Sequence, residues 1–238
     1  GRLESDLLSR TIRYAIERKK TAEQLAQYAE ELRKRNAEMT ENLRMAQDAQ
    51  LAILPQRFPA FPDTGSGKAS TLTFSHVFRP SSLMSGDFFN VMKISENLAG
   101  GLLCDVMGHG VRAALITAIL RGIIEELRPV ADKPDRFCVE LNRVLKSILR
   151  RPDQLIFVSA VYLVVDAQSG LVRYTNAGHP SAIVAKSKDG RAELMDEERK
   201  EAQPALGLFE EITYTSQQCQ LETNDLILCY TDGLYDAR

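Results

Sequence analysis

Three aspartates in this sequence stand at the edges of apolar segments, each with glycine close by. They lie in the stretches Ser85-Gly86-Asp87-Phe88-Phe89, Cys104-Asp105-Val106-Met107-Gly108 and Cys229-Tyr230-Thr231-Asp232-Gly233. Glycine permits a tight turn and lets the backbone approach a ligand closely. One such acid is an ordinary turn residue, whereas three of them at strand ends indicate convergence on one site.

The chemistry of such a site would be metal chemistry. Carboxylates gathered near a core repel one another unless a cation offsets their charge. Oxygen ligands without a Cys or His pattern suit Mg²⁺ or Mn²⁺ rather than zinc. Spacing alone leaves two interpretations open: a metal site built from Asp87, Asp105 and Asp232, or three unrelated turns.

Composition excludes several classes of protein. The 238 residues are 44% hydrophobic, which is enough for a sizeable core, and the net charge of −2 gives no sign of a nucleic-acid-binding surface. No apolar run reaches the roughly 18 residues of a membrane span, and no signal-peptide pattern is visible. The four cysteines form no CxxC pair, so we expect reduced core thiols and a cytoplasmic protein. From the charge and the lack of a membrane span, we expect neither a membrane nor a nucleic-acid partner. The start at Gly1, without Met, suggests a piece of a longer chain.

Residues 1–53 contain no proline and carry a heptad seam. Its members follow alternating steps of four and three: Leu25, Ala29, Leu32, Asn36, Met39, Leu43, Ala46, Gln50 and Ile53. This pattern predicts a parallel two-stranded coiled coil, in which a buried Asn36 would fix the register. The alternative is a lone amphipathic helix lying on the rest of the protein.

The chain after this helix is predicted to be an α+β domain. Leu54-Pro55 ends the helix, and 55–69 reads as a linker by composition. From residue 70 the pattern changes to short strands interrupted by helices near 111–127 and 135–149. Strands, two tandem helices and further strands indicate antiparallel sheet with helices on a face. The expected domains are therefore a coiled-coil signalling and dimerisation helix at 1–54, a linker at 55–69 and a catalytic domain at 70–238.

Five motifs in order make the domain recognisable. They are SGDFFN, CDVMGHGVRAALITA, TNAGHPSAIV, PALGL and LCYTDGLYDAR. Together they resemble the SpoIIE/RsbU branch of the metal-dependent, protein phosphatase 2C-like serine/threonine phosphatases (the PPM class). The resemblance covers about residues 70–238. It implies an α-β-β-α sandwich of two antiparallel sheets flanked by helices, preceded here by the long helix.

The resemblance also implies a centre of two Mn²⁺ or Mg²⁺ ions. Carried over residue by residue, Asp105 would bridge both metals, Asp87 would bind the second and Asp232 the first. The backbone carbonyl of Val106 would be a further ligand. Such cations lower the pKa of a water molecule, which can then attack phosphoserine or phosphothreonine.

The preceding segments resemble signalling elements of the same family. AQDAQLAILPQRFP is similar to the Gln-x-x-Leu-Leu-Pro segment that often precedes this domain, and LLSRTIRYAIERKKTAEQL looks like the end of a receiver domain. The resemblance therefore implies the output half of a response regulator, controlled by an upstream receiver. It implies a homodimer through residues 1–53 and a STAS-type anti-anti-sigma phosphoprotein as substrate.

The sequence departs from the family pattern at three places. Ser85 replaces the usual first glycine and Asn90 the second acid of GGDFYD. The last acid of the family, in a DD-x-T strand, has no counterpart before Arg238, so we expect either that the domain is incomplete at its C-terminus or that one metal site is incomplete. Asn90 and the missing last acid motivate the alternative that the domain is a degenerate phosphatase acting as a regulated protein-binding module.

Two histidines near the motifs have functional and structural interpretations. His109 would be a proton donor to the leaving oxygen or a helix-start residue with local hydrogen bonds. His179 would serve the site directly or hold a turn beside it. For both, the structural interpretation is favoured.

Overall fold

The computed structural model describes residues 2–62, 70–80, 83–149, 155–196 and 202–235, with side chains described from residue 9 onward. Part of the expected linker, 63–69, therefore lies outside the described residues. The chain divides into two compact units, 1–46 and 47–238. Helix α1 (Arg2–Ile53) forms the first unit up to residue 46, and the end of the same helix, residues 47–53, belongs to the second unit.

The first unit is a helix whose described side chains, at residues 9–46, are exposed except for the partly exposed Leu43 and Ala46. Leu25, Leu32 and Met39 of the predicted seam are each at least 60% exposed. Pairs such as Arg35 Nη2 to Glu31 Oε1, at 2.6 Å, lie along its surface, and exposed pairs of this kind stabilise a helix only slightly. Pairing of two such helices through the seam stays a prediction.

The second unit contains two antiparallel sheets. The larger has the order β1-β2-β3-β4-β7, and the smaller the order β6-β5-β8. Their strands are β1 (Asp87–Lys93), β2 (Leu98–Val106), β3 (Val158–Asp166), β4 (Leu171–Ala177), β5 (Ile183–Lys186), β6 (Arg191–Leu194), β7 (Gln217–Gln220) and β8 (Leu226–Leu228).

Two helices cover one face of the larger sheet. They are α2 (Val111–Glu126) and α3 (Pro134–Leu149). The core between them and the sheet includes the stacked rings of Phe137 and Tyr162, 3.9 Å apart, and the fully buried thiols of Cys104 and Cys138. The Tyr162 hydroxyl donates to the carbonyl of Ala131 at 2.7 Å, so its buried polar end is satisfied.

The other face of the larger sheet packs on the smaller sheet. Val161, Leu163, Val172 and Tyr174 form that contact layer, with Ile227 of β8 against them. The predicted α+β fold of two antiparallel sheets with helices, preceded by a long helix, is confirmed. The described residues supply three of the four layers of the sandwich, since among them no helix contacts the smaller sheet.

The outer face of the smaller sheet is apolar. Register places six side chains on it: Ile183, Ala185, Ala192, Leu194, Leu226 and Leu228. Leu226 is 59% exposed and Leu194 48%. We call this surface the outer sheet face.

Some strands differ from those that the sequence pattern predicts. The sequence pattern predicts strands at 70–78, 88–94, 101–105, 155–166, 171–176, 182–186, 212–220 and 226–230. The first of these, 70–78, pairs with no strand in the described part of the chain, and Phe74 instead packs on the rings of Phe58 and Phe61. Strand β6 was not predicted, because its four residues are all exposed and lack an alternating pattern. Within the described ranges, no helix is both long and apolar enough to cross a membrane.

Candidate active site

Two of the three acids lie opposite each other on neighbouring strands. Asp87 of β1 pairs with Asp105 of β2, and Asp105 pairs in turn with Ser159 of β3. Directly opposed residues of antiparallel strands point to the same face. The three side chains therefore form a row across the end of three strands, which we call the acid row. It faces the smaller sheet, because the alternating neighbours Phe88 and Cys104 point into the helical core.

The third acid comes from the smaller sheet. Asp232 begins a short 3-10 helix, Asp232–Leu234, just after β8. Its charge raises the pKa of both Asp87 and Asp105, so it stands within electrostatic range of both. The structure thus places Asp232, which is exposed, near Asp87 and Asp105.

Burial and like charge make Asp105 the most perturbed of these acids. Its pKa is raised to about 7, first by burial and then by the charges of Asp87 and Asp232. The pKa of Asp87 is also raised, chiefly by burial, while hydrogen bonds from Ser85 and Thr231 oppose that effect. A carboxyl group with a raised pKa gains most from a nearby cation.

The backbone packed against residue 86 leaves no room for a side chain, which explains why a glycine precedes Asp87. A β-carbon at this position would lie 2.5 Å from the carbonyl oxygen of Val106 and 3.2 Å from that of Gly108. The Val106 amide also donates to the Gly86 carbonyl at 3.2 Å. Only glycine therefore allows β1 to start this close to the carbonyl predicted as a metal ligand.

The turn after Asp105 leads directly into α2. Gly108 and Gly110 have φ of 93° and 82°, values that L side chains rarely adopt, and Gly110 is the N-cap of α2. His109 lies between them and is exposed. The favoured structural interpretation of His109, as a helix-start residue, stays a prediction.

His179 holds a turn beside the acid row. Its Nδ1 lies 2.9 Å from the hydroxyl oxygen of Ser159. Its amide donates to Asn176 Oδ1 at 2.8 Å, and Asn176 Nδ2 donates back to its carbonyl at 2.9 Å. Burial lowers the pKa of His179 to about 4, with the backbone of Tyr230 opposing the shift. The ring is thus neutral near pH 7 and, as the structural interpretation expects, fixes local geometry.

Sequence reasoning missed Ser159 and did not show on which face of β1 Asn90 lies. Ser159 lies in no motif, and only the register of β3 against β2 could have placed it in the acid row. Asn90 is buried and shares the core face of β1 with Phe88, opposite to Asp87. Its departure from the family acid therefore leaves the acid row unchanged.

The donor chemistry of the site fits a hard divalent cation. Carboxylate oxygens and a backbone carbonyl are the ligands that Mg²⁺ and Mn²⁺ prefer, and a nearby cation would oppose the effects of burial and of the two neighbouring acids that raise the pKa of Asp105. Among the described residues, however, no three His, Cys, Asp or Glu side chains are grouped so that they could hold an ion. The metal assignments of Asp87, Asp105, Val106 and Asp232 stay predictions.

A match to one protein-family model shows the family of this chain. The family model of Stage II sporulation protein E (SpoIIE) matches residues 99–238, which is more than half of the chain. The chain belongs to the SpoIIE family. The matched range contains Asp105, Val106 and Asp232, whereas Asp87 precedes it.

Two curated relatives carry the same type of domain. The phosphoserine phosphatase RsbP of Bacillus subtilis is 31% identical over 160 residues, covering 67% of this chain and 38% of RsbP. The phosphoserine phosphatase RsbU of the same organism is 24% identical over 201 residues, covering 84% of this chain and 55% of RsbU. The SpoIIE-family chain thus spans about two fifths to just over half of these relatives.

A solved structure agrees with the fold. The SiaA-PP2C domain of Pseudomonas aeruginosa superposes with a TM-score of 0.67 at 20% identity, covering 84% of this chain and 74% of that domain. The predicted SpoIIE-type, protein phosphatase 2C-like domain is therefore confirmed in family and in fold.

Proposed function

We propose that this SpoIIE-family chain is a metal-dependent phosphatase of phosphoserine or phosphothreonine proteins. The observation that carries the proposal is the pairing of Asp87 with Asp105 at the ends of β1 and β2, with Asp232 close enough for its charge to raise the pKa of both. The names of RsbP and RsbU, both phosphoserine phosphatases, support the same reaction.

In this proposal each acid has a distinct position. Asp105, at the centre of the acid row, would hold the cations together with Asp87, its neighbour on β1, and Asp232 from the smaller sheet. The carbonyl of Val106 would complete the donor set beside Gly86. Bound Mn²⁺ or Mg²⁺ would lower the pKa of a water molecule and offset the charge of the phosphoryl oxygens.

Asp105 would also make metal binding depend on pH. A carboxyl group must lose its proton to bind a cation, and the pKa of Asp105 without a cation is about 7. Protons and cations would therefore compete for it near neutral pH, with tighter binding as the pH rises.

The surroundings of the acids suit a protein substrate. Met107, two residues after Asp105, is 48% exposed, and Leu234, two residues after Asp232, is 66% exposed. Exposed apolar side chains beside a site favour contact with a protein surface. Within the proposal, the substrate is a STAS-type anti-anti-sigma protein, and an upstream receiver regulates the chain through a dimer of residues 1–53.

The decisive experiment measures phosphate release from a phosphoserine STAS protein with Mn²⁺ and with EDTA. We expect release only with the metal, and its loss in Asp105→Asn. The matched control is Asp166→Asn, which removes an acid from the far end of the strand that pairs with β2. Equal activity of the wild type and Asp105→Asn would refute the mechanism.

One observation favours a second candidate, a protein-binding module without turnover. The described acids are not grouped to hold an ion. Retained binding of the phosphoprotein in Asp105→Asn, with no phosphate release by the wild type at any Mn²⁺ concentration, would identify this alternative.

A further inference from the structure

Ser85 is bonded to the Asp87 residue at two points. The Asp87 amide donates to the Ser85 hydroxyl oxygen at 3.0 Å, and that hydroxyl donates to Asp87 Oδ2 at 3.2 Å. One side chain thus links the backbone of Asp87 to its own carboxylate. A glycine at this position would have no group to make either bond.

Ser85 is itself held by the side chain of Gln50. Gln50 Nε2 donates to the Ser85 carbonyl at 2.6 Å, and the Ser85 amide donates to Gln50 Oε1 at 3.2 Å. Both backbone groups of Ser85 therefore pair with one amide. Because two bonds to a planar group fix its direction as well as its distance, Ser85 has little freedom to turn.

Gln50 is anchored in turn. Gln50 is 6% exposed. Its Nε2 also donates at 3.1 Å to the hydroxyl of Thr117, a residue of α2 with no exposed surface. That hydroxyl donates to the Ala114 carbonyl at 2.7 Å. A buried polar network with all its members satisfied specifies one arrangement of the groups within it.

We propose that Ser85, clamped by Gln50, is a positioning residue for Asp87. Its hydroxyl sets the direction in which the Asp87 carboxylate faces Asp105 and Asp232. What Asp87 would bind in that direction rests on the proposed function, whereas the orientation itself rests on the hydrogen bonds alone.

The test compares Ser85→Ala with Ser85→Thr, which keeps the hydroxyl. Two measurements are made by NMR on the metal-free chain: the exchange rate of the Asp87 amide and the ¹³C shift of its carboxyl carbon at fixed pH. Mn²⁺ affinity is then measured by calorimetry. In Ser85→Ala we expect about five- to tenfold faster amide exchange, the factor that corresponds to one ordinary hydrogen bond, a displaced carboxyl shift, and several-fold weaker Mn²⁺ binding. Ser85→Thr should stay near the wild type.

Gln50→Glu provides a second variant, because it keeps the shape of the side chain but removes the Nε2 donor. It should displace the Asp87 carboxyl shift in the same direction as Ser85→Ala. An unchanged carboxyl shift in Ser85→Ala would overturn the proposal, even if the amide exchanged faster. If the wild type bound no Mn²⁺, the proposed function would fail, and the carboxyl shifts would still decide the positioning role.

Discussion

Folding favours the protonated form of Asp105, whereas the proposed metal would bind its ionised form. Burial and the charges of two other acids raise its pKa from 3.8 to about 7. For an acid whose pKa is raised on folding, the contribution to stability is complete below the unfolded pKa and is lost as the pH rises through the folded pKa. Without a cation, the chain should therefore lose stability between about pH 4 and 7.

Asp105→Asn should remove that loss. The amide stays neutral at every pH, so the melting temperature of the metal-free variant should fall less between pH 5 and 8 than that of the wild type. Thermal unfolding in EDTA across this range measures the difference. Parallel curves for the two proteins would show that Asp105 carries no uncompensated charge.

Gly86 offers a test of close backbone approach. A β-carbon there would lie 2.5 Å from the Val106 carbonyl oxygen, and overpacking of this kind typically costs about 1–3 kcal/mol. Gly86→Ala should therefore lower the free energy of unfolding in urea by about that amount and weaken Mn²⁺ binding.

Gly101→Ala is the matched control for Gly86→Ala. Gly101 lies in β2, and a β-carbon there would meet only the Leu163 side chain, at 3.9 Å. Gly101→Ala should not lower the free energy of unfolding, because the new side chain fits and glycine within a strand weakens that strand. Equal losses in the two variants would argue against the contact with Val106.

At the scale of elements, α3 holds the loop of the PALGL motif against the end of β3. Asn142 Nδ2 donates to the Phe209 carbonyl at 3.0 Å, and the Gly207 amide donates to Asn142 Oδ1 at 2.8 Å. Leu206 then exchanges two backbone hydrogen bonds with Val158, the neighbour of Ser159. The motif thus supports the acid row from outside the site.

Asn142→Ala should destabilise the domain, because it leaves the buried Gly207 amide without its acceptor. The expected loss is about 1–3 kcal/mol in the free energy of unfolding. Arg143→Ala is the control: its ion pair with Glu140 is exposed and should contribute about 0–1 kcal/mol. Urea titrations of both variants compare the two losses directly, and an equally small loss for Asn142→Ala would contradict this support.

Periodic elements were predictable and long-range placement was not. The predicted helices at 111–127 and 135–149 differ from α2 and α3 by one residue at one end, because packing on a sheet requires a helical apolar pattern. Gln50 was assigned to the heptad seam by its spacing, but its amide is buried against Ser85. Neither this contact nor the register that places Ser159 leaves a signal in local sequence.

At the scale of the whole molecule, the outer sheet face is a large apolar surface in solvent. Leu194, Leu226 and Leu228 are each at least 44% exposed on it. Contiguous apolar patches of this kind bind hydrophobic dyes and promote association. The chain of residues 1–238 should therefore enhance the fluorescence of the dye ANS while fully folded.

Leu226→Lys should reduce that fluorescence without loss of structure, because the charge interrupts the apolar patch. Leu115→Lys, on α2, is the control, since Leu115 is similarly exposed at 60% but lies outside the outer sheet face. Dye titration at equal protein concentration distinguishes them. An equal reduction in both variants would show that the dye does not select this face.

The burial of two cysteines makes the helical core accessible to chemical measurement. Cys104 and Cys138 are free thiols with no exposed surface, and burial raises the pKa of both. A thiol reagent can reach them only when the core opens, whereas Cys219 and Cys229 are partly accessible. Since Cys104 precedes Asp105 directly, its rate of labelling would report how often the strand beneath the acid row separates from the helices.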